Sequence, residues 1–282
     1  MLISTESVKT LSEKIRTSRE TFCSGLFLSA RWFAVSQLED EGFQMIVLPD
    51  KDSAEYCAAD LYNLIEGDRV FFLPDSGKTL ERSNYKSTLS VQRTSAIGKI
   101  LEYKEGRLIV VTYPAALEEG IPESSIIKES VLHLTVGDEI SHEGIVEAMF
   151  ANGFQRVDFV AEPGQFAIRG AIVDIFSYSY NDPFRISFFG DEIDSITVFD
   201  CNTQLSKEKI SSVEIYPDIL SGEDESGMTG ICSIIPEDAL IWLDSSDMYR
   251  NKEFFNELGS FRRVFMELPL SRQDEEAVRF SI

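Results

Sequence analysis

A chain of 282 residues is long enough to bury two or three cores, and 43% hydrophobic with 11% aromatic side chains is the composition of an ordinary globular protein. Its 26 basic and 48 acidic side chains leave a net charge of −22 with no cluster of Lys and Arg, which excludes autonomous tracking of nucleic-acid phosphates. No run reaches the length of a membrane span, the N-terminus lacks a signal peptide's apolar core, and Cys23, Cys57, Cys201 and Cys232 form no C-x-x-C pair, a pattern of reduced thiols in a cytoplasmic protein.

In chain order, Thr5 to Ser18 reads as a polar helix and Thr21–Leu28 as carrying a buried strand whose end the sequence does not mark, followed by a helix from Ala30 to Asp40. Gln44–Leu48 is a second strand, stopped by Pro49-Asp50. Asp52 or Ser53 can cap a helix to Ile65 with Ala54, Cys57, Ala58, Leu61, Leu64 and Ile65 on one side. Arg69–Leu73 is a third strand, a polar loop leads to a helix from Tyr85 to Tyr103, and Leu108–Thr112 is a fourth strand. Short apolar strands alternating with helices predict an α/β fold with a parallel sheet covered on both faces.

Ile121-Pro122-Glu123-Ser124-Ser125 marks a boundary. Beyond it an α+β module is expected: a strand at Leu132–Val136, a helix at Ser141–Ala151, an antiparallel meander, and a closing strand at Val213–Tyr216. After the acidic stretch Gly222–Gly227 the α/β pattern resumes with strand Leu240–Leu243, a helix from Ser246 to Leu258 and strand Arg263–Leu268. The division is therefore 1–124 and 219–282 for one interrupted α/β domain, and 125–218 for the inserted α+β module with its antiparallel sheet.

The meander runs from Phe154 to Asp200, its short β-rich runs separated by Gly, Pro, Asn and Asp. From Arg156 to Asp200 it holds three basic residues, all arginine, against eight acids. The two-residue period of a strand puts Phe184, Ile186 and Phe188 on one face and Arg185, Ser187 and Phe189 on the other. Gly190-Asp191 is a two-residue hairpin signal that sets Phe188 opposite Ile193 and Arg185 opposite Ile196, with Asp194 a diagonal partner for Arg185. In the preceding hairpin Arg169 points away from Phe166 and Ile168. Arg169, Arg185 and Phe189 are thus outward residues expected to add little to folding, and candidates for reading a partner; the structural alternative is a surface ion pair of Arg185 with Asp194 and a Phe189 packed under a helix.

The block Phe166-Ala167-Ile168-Arg169-Gly170-Ala171-Ile172-Val173-Asp174-Ile175-Phe176, continued by Arg185-Ile186-Ser187-Phe188-Phe189-Gly190-Asp191-Glu192-Ile193, resembles the second domain of the bacterial transcription-repair coupling factors (Mfd), shared with the excision-repair protein UvrB. The Asp194-Ser195-Ile196 and Val198-Phe199-Asp200 continuation is closer to the coupling factors. The resemblance implies a docking surface for UvrA, carried by position onto Arg169, Arg185 and Phe189. It also implies that 1–124 and 219–282 make a UvrB-like, degenerate P-loop NTPase-like unit, and that domains contacting RNA polymerase and DNA and driving an ATP-dependent translocase lie beyond Ile282.

Catalytic readings fail on the residues. Gly77-Lys78-Thr79 mimics a phosphate loop, but the position five before its Gly-Lys pair is Phe72, inside a strand. The segment Gly25 to Arg31, where the resemblance places UvrB's phosphate loop, has bulky residues for glycines and no lysine. Asp191-Glu192-Ile193-Asp194 imitates a helicase metal box but sits on a hairpin. His133 and His142 are the only histidines and lack partners at metal spacing, so no metal, cofactor or nucleophile set is expected. The leading expectation is a non-catalytic UvrA-docking segment; the alternative is an ATP-dependent repair enzyme of UvrB type, which requires an active phosphate loop and a basic DNA surface.

Overall fold

The computed structural model describes residues 5–26, 29–38, 42–67, 69–77, 83–219, 228–244, 253–266 and 277–279. Two compact units emerge. One comprises Met1–Asp75, Lys99–Gly120 and Gly230–Ile282; the other comprises Ser76–Gly98 and Ile121–Thr229.

The first unit is built on a seven-stranded sheet whose pairings are all parallel. From edge to edge its strands are Val278–Arg279, Glu20–Ser24, Arg262–Phe265, Leu240–Leu243, Phe43–Val47, Leu108–Thr112 and Val70–Phe72. Every residue of Phe43–Val47, Leu108–Thr112 and Leu240–Leu243 is buried, as expected for central parallel strands. The helices Thr5–Thr17, Ala30–Ser36 and Lys51–Leu64 contribute Val8, Leu11, Ile15, Trp32, Val35, Cys57 and Leu61 to one core with the strand residues Ile46, Val111, Trp242 and Val264. Burial leaves the Trp242 indole N–H one good acceptor, Gln44 Oε1 at 3.0 Å.

Several boundaries differ from expectation for local reasons. The first strand ends at Ser24 because Gly25 takes φ 82°, and the helix after it stops at Ser36. Asp50, extended at φ −150°, caps the next helix by accepting from Ser53 N at 2.8 Å, so neither Asp52 nor Ser53 is the cap. Of the expected 246–258 helix, Glu253–Glu257 is helical and Leu258–Ser260 tightens into a 3-10 turn; residues 246–252 lie outside the described residues, as do Leu268 and the acidic 222–227 stretch.

The second unit holds a six-stranded sheet in the order Ser206–Ile210, Glu192–Phe199, Phe184–Phe189, Ile172–Ile175, Gln165–Arg169, Gln155–Arg156. All neighbours are antiparallel except the last pair. Phe166, Val173, Ile175, Phe184, Ile186, Phe188, Ile193 and Ile196 form its inner face, in one core with Ile145 and Met149 of the helix His142–Ala151. Ser141 caps that helix, accepting from Gly144 N at 3.0 Å. The expected closing strand is Ser212–Ile215, which pairs with Leu132–Thr135 in a separate ladder. Fully burying one such Phe or Ile contributes about 1.5–3 kcal/mol.

Candidate functional site

The outer face of the antiparallel sheet collects what the inner face excludes. Strand alternation turns Asp174 outward between Val173 and Ile175, and the register sets it directly opposite Arg185 on one side and Ala167 on the other. Arg169 ends its strand opposite Ile172, just before the turn at Gly170, which takes φ 61°.

Asp174 is 1% exposed, yet its carboxylate is fully engaged. Arg185 forks onto it, Nε donating to Oδ1 at 2.8 Å and Nη2 to Oδ2 at 3.0 Å, the geometry in which a guanidinium binds a carboxylate best. Arg169 Nη2 donates to the same Oδ2. Arg185 Nη2 also reaches Gln204 Oε1 at 3.3 Å, and Gln204, at φ 60°, is itself anchored by donating from Nε2 to Cys201 O at 2.8 Å. The hydrogen bond to Asp174 raises the Arg185 pKa above its ordinary value, outweighing the opposite effect of burial.

Rings complete the arrangement. The Arg185 guanidinium lies 4.4 Å from the centroid of the fully buried Phe199, and that of Arg169 lies 5.3 Å from Phe159, which is largely exposed. Phe189 is 82% exposed at the hairpin, whereas its neighbour Phe188 is 7% exposed in the core. Beside the arginines, Val160, Ala167 and Phe176 make a small second core on the outer face, so Ala167 points outward but is covered.

The face assignment of Arg169, Arg185, Phe188 and Phe189 agrees with the strand period. The Gly190-Asp191 turn is present, and Phe188 pairs with Ile193. Two details are corrected. Arg185 faces Thr197, not Ile196, because the ladder shifts between Ser187 and Phe188 and leaves Asp194 as an extra, bulged residue. Its ionic partner is accordingly Asp174 and not Asp194. The expectation that the two arginines add little to folding falls with it, since both neutralise a buried carboxylate.

Asp174, Gln204 and Phe159 were passed over by sequence reasoning. The available signal for Asp174 was an acid alternating with apolar residues in Ile172–Ile175; for Phe159 and Gln204 there was none.

The nucleotide candidates are placed as follows. Phe72 lies in its strand, while Lys78 and Thr79 fall outside the described residues. Arg31 is committed internally: it pairs with Asp244, both side chains being largely buried, and donates from Nε to Leu26 O at 3.2 Å. Asp191 lies in the hairpin turn and Glu192 opens the strand after it, paired with Phe189. His133 Nδ1 sits 3.2 Å from Glu214. Among the described residues no group of three or more His, Cys, Asp or Glu could hold a metal, and no helix is long and apolar enough to cross a membrane.

Residues 132–219 match the UvrB interaction domain family. The chain is similar to the transcription-repair-coupling factor of Bacillus subtilis, 31% identical over 202 residues, covering 71% of this chain and 17% of that protein. The corresponding Haemophilus influenzae factor is 29% identical over 69% of this chain and 17% of its own length, and that of Mycobacterium tuberculosis 30% identical over 64% and 15%. The chain thus spans about a sixth of the length of the curated relatives it matches. The resemblance to coupling factors and to the UvrB-type domain read from the meander is borne out.

Proposed function

We propose that this chain is a non-catalytic, UvrB-like docking segment that binds UvrA through Arg169, Arg185 and Phe189 and so brings nucleotide excision repair to stalled RNA polymerase. The observation that carries the reading is the pairing of two outward guanidinium groups with an 82% exposed Phe189 on the same sheet face. An exposed ring and arginines on one face is the composition of interface hot spots. Arg169 Nε and Nη1 make no hydrogen bond among the described residues, and either of them together with the second N–H of Nη2 is a fork that a partner carboxylate can take and lysine does not copy.

The parallel-sheet unit is read as a degenerate P-loop NTPase-like scaffold, with segments 1–124 and 219–282 flanking the docking module at 125–218. Strand-embedded Phe72 and the internally committed Arg31 support a unit without nucleotide turnover. RNA polymerase and DNA contacts, and ATP-driven translocation, belong in this reading to other domains of a longer cytoplasmic protein.

The test is a titration of purified UvrA against this chain and its Arg169→Ala, Arg185→Ala and Phe189→Ala variants. Each truncation is expected to weaken binding by about 2 kcal/mol, close to thirtyfold. Phe189→Ala is the cleanest of the three, since its ring supports nothing in the fold. Failure of the unmodified chain to bind UvrA, or wild-type affinity in all three variants, overturns the proposal.

A further inference from the structure

We infer that Asp174 is the positioning residue of this docking surface: its buried carboxylate holds the Arg169 and Arg185 guanidinium groups in the geometry that a partner's carboxylate meets. The inference rests on the docking reading above and adds a residue to it.

Three observations carry it. Asp174 is 1% exposed and so is not itself a contact residue, yet it is the one acid shared by both arginines. Two guanidinium groups on one carboxylate leave the cluster with a local excess of positive charge, in a chain whose net charge is −22. An ion pair built only to satisfy a buried acid needs one forked arginine; the second brings surplus donors to the surface. Finally, Arg185 is restrained from both sides, by Asp174 across one strand pair and by Gln204, held at φ 60° on a turn beyond the other.

The physical benefit is preorganisation. A free arginine loses most of its rotamer freedom when it docks, and a guanidinium already clamped at Nε and Nη2 has lost it before the partner arrives. Contact side chains locked by a buried supporting shell hold the productive geometry; unsupported ones drift from it. Asp174 acts through Arg169 and Arg185 and touches no partner.

The experiment compares UvrA affinity and arginine side-chain NMR for the unmodified chain, Asp174→Asn and Gln204→Ala. Asparagine keeps the volume and one acceptor but loses the charge and turns a donor toward the guanidiniums. Asp174→Asn is expected to weaken UvrA binding about tenfold. The Arg185 Nε–H of the unmodified chain is expected as a resolved, slowly exchanging signal that becomes solvent-like in Asp174→Asn. Gln204→Ala, which removes the outer restraint together with its anchor on Cys201 O and leaves Asp174 in place, is expected to weaken binding about threefold.

Wild-type affinity in a folded Asp174→Asn overturns the inference and leaves the docking reading standing, provided that Phe189→Ala has lost binding. Wild-type affinity in Arg169→Ala, Arg185→Ala and Phe189→Ala together overturns the docking reading instead. Should Asp174→Asn not fold, the unmodified chain and Gln204→Ala decide. A protected Arg185 Nε–H with weakened Gln204→Ala binding supports positioning; a solvent-like Nε–H or unweakened Gln204→Ala binding overturns it.

Discussion

Truncating Arg185 tests the structure before it tests function. Arg185→Ala removes the donors at 2.8 and 3.0 Å from Asp174 and leaves a 1% exposed carboxylate with Arg169 as its remaining ionic partner. Breaking a buried pair by deleting one member costs about 3–5 kcal/mol. Two features reduce that here: Arg169 persists, and the Arg185 side chain is 21% exposed, so water enters the space it vacates. The expected loss is about 2–3 kcal/mol. Because the chain has two compact units, a single global melting curve mixes them. Amide hydrogen exchange at Ile186 and Ile175, in the central strands of the antiparallel sheet, reports the right unit. Phe189→Ala, expected to change stability by less than about 0.5 kcal/mol, is the control. If Arg185→Ala exchanges there as slowly as the control, Asp174 does not depend on Arg185 and the reasoning fails. Replacing Arg169, Asp174 and Arg185 together by Met, Leu and Met should recover most of the loss, since apolar side chains of similar volume often replace a buried ionic triad without cost. That triple variant should also lose UvrA, separating the two roles of the cluster.

Other outcomes follow from the same geometry. Phe188→Ala, deleting a ring that is 7% exposed, should cost about 3 kcal/mol or more by the same exchange measurement; a small effect would place Phe188 outside the core. The chain should show no saturable, magnesium-dependent ATP binding by calorimetry, because Arg31 is spent on Asp244 and Phe72 stands where a phosphate loop needs glycine; micromolar affinity would contradict this. Burial pushes the Cys23 thiol up to about 12, so the folded chain keeps a proton that an unfolded thiol, at 9.0, releases. The stability this contributes is whole below pH 9.0 and is lost progressively as pH rises toward 12. Urea midpoints at pH 8 and pH 10.5 (chosen assay values, roughly either side of the unfolded thiol's pKa) should therefore differ more in the unmodified chain than in Cys23→Ala, and equal differences would refute it.

How much of this was legible depended on whether the cause was local. Alternation within Phe184–Phe189 was enough to separate Phe188 from Phe189, because a strand's faces follow from its period alone. The strands of the parallel sheet were legible from their apolar runs, but not their order, since Arg262–Phe265 lies between Glu20–Ser24 and Leu240–Leu243 through contacts far apart in sequence. The Arg185 register went wrong because the bulge at Asp194 sits among outward polar residues, where an extra residue leaves no mark on the hydrophobic pattern. Asp174 went unread as a partner because the strands Ile172–Ile175 and Phe184–Phe189 are joined by a long loop, and only a short turn fixes register in advance. The strand Ser206–Ile210 was missed altogether: its Ser-Lys-Glu-Lys-Ile sequence is that of a charged edge, which protects a sheet at the expense of looking like one.

The cluster also bears on how an acidic chain can hold a partner through arginines. With a net charge of −22 the long-range field attracts basic surfaces, so it does not draw a carboxylate toward Arg169 and Arg185. At physiological ionic strength, however, screening confines each exposed charge to about 8 Å. Within that distance the two guanidinium groups of Arg169 and Arg185 exceed the one carboxylate of Asp174 that they share, with Phe159 under Arg169 and the exposed Phe189 on the same sheet face. On the docking reading proposed above, recognition on this face is therefore decided at contact and not at encounter. Such a design tolerates mutation of remote acids and is intolerant of a misplaced guanidinium. A buried carboxylate that costs stability unless both arginines stay in place is a physical means of keeping them there.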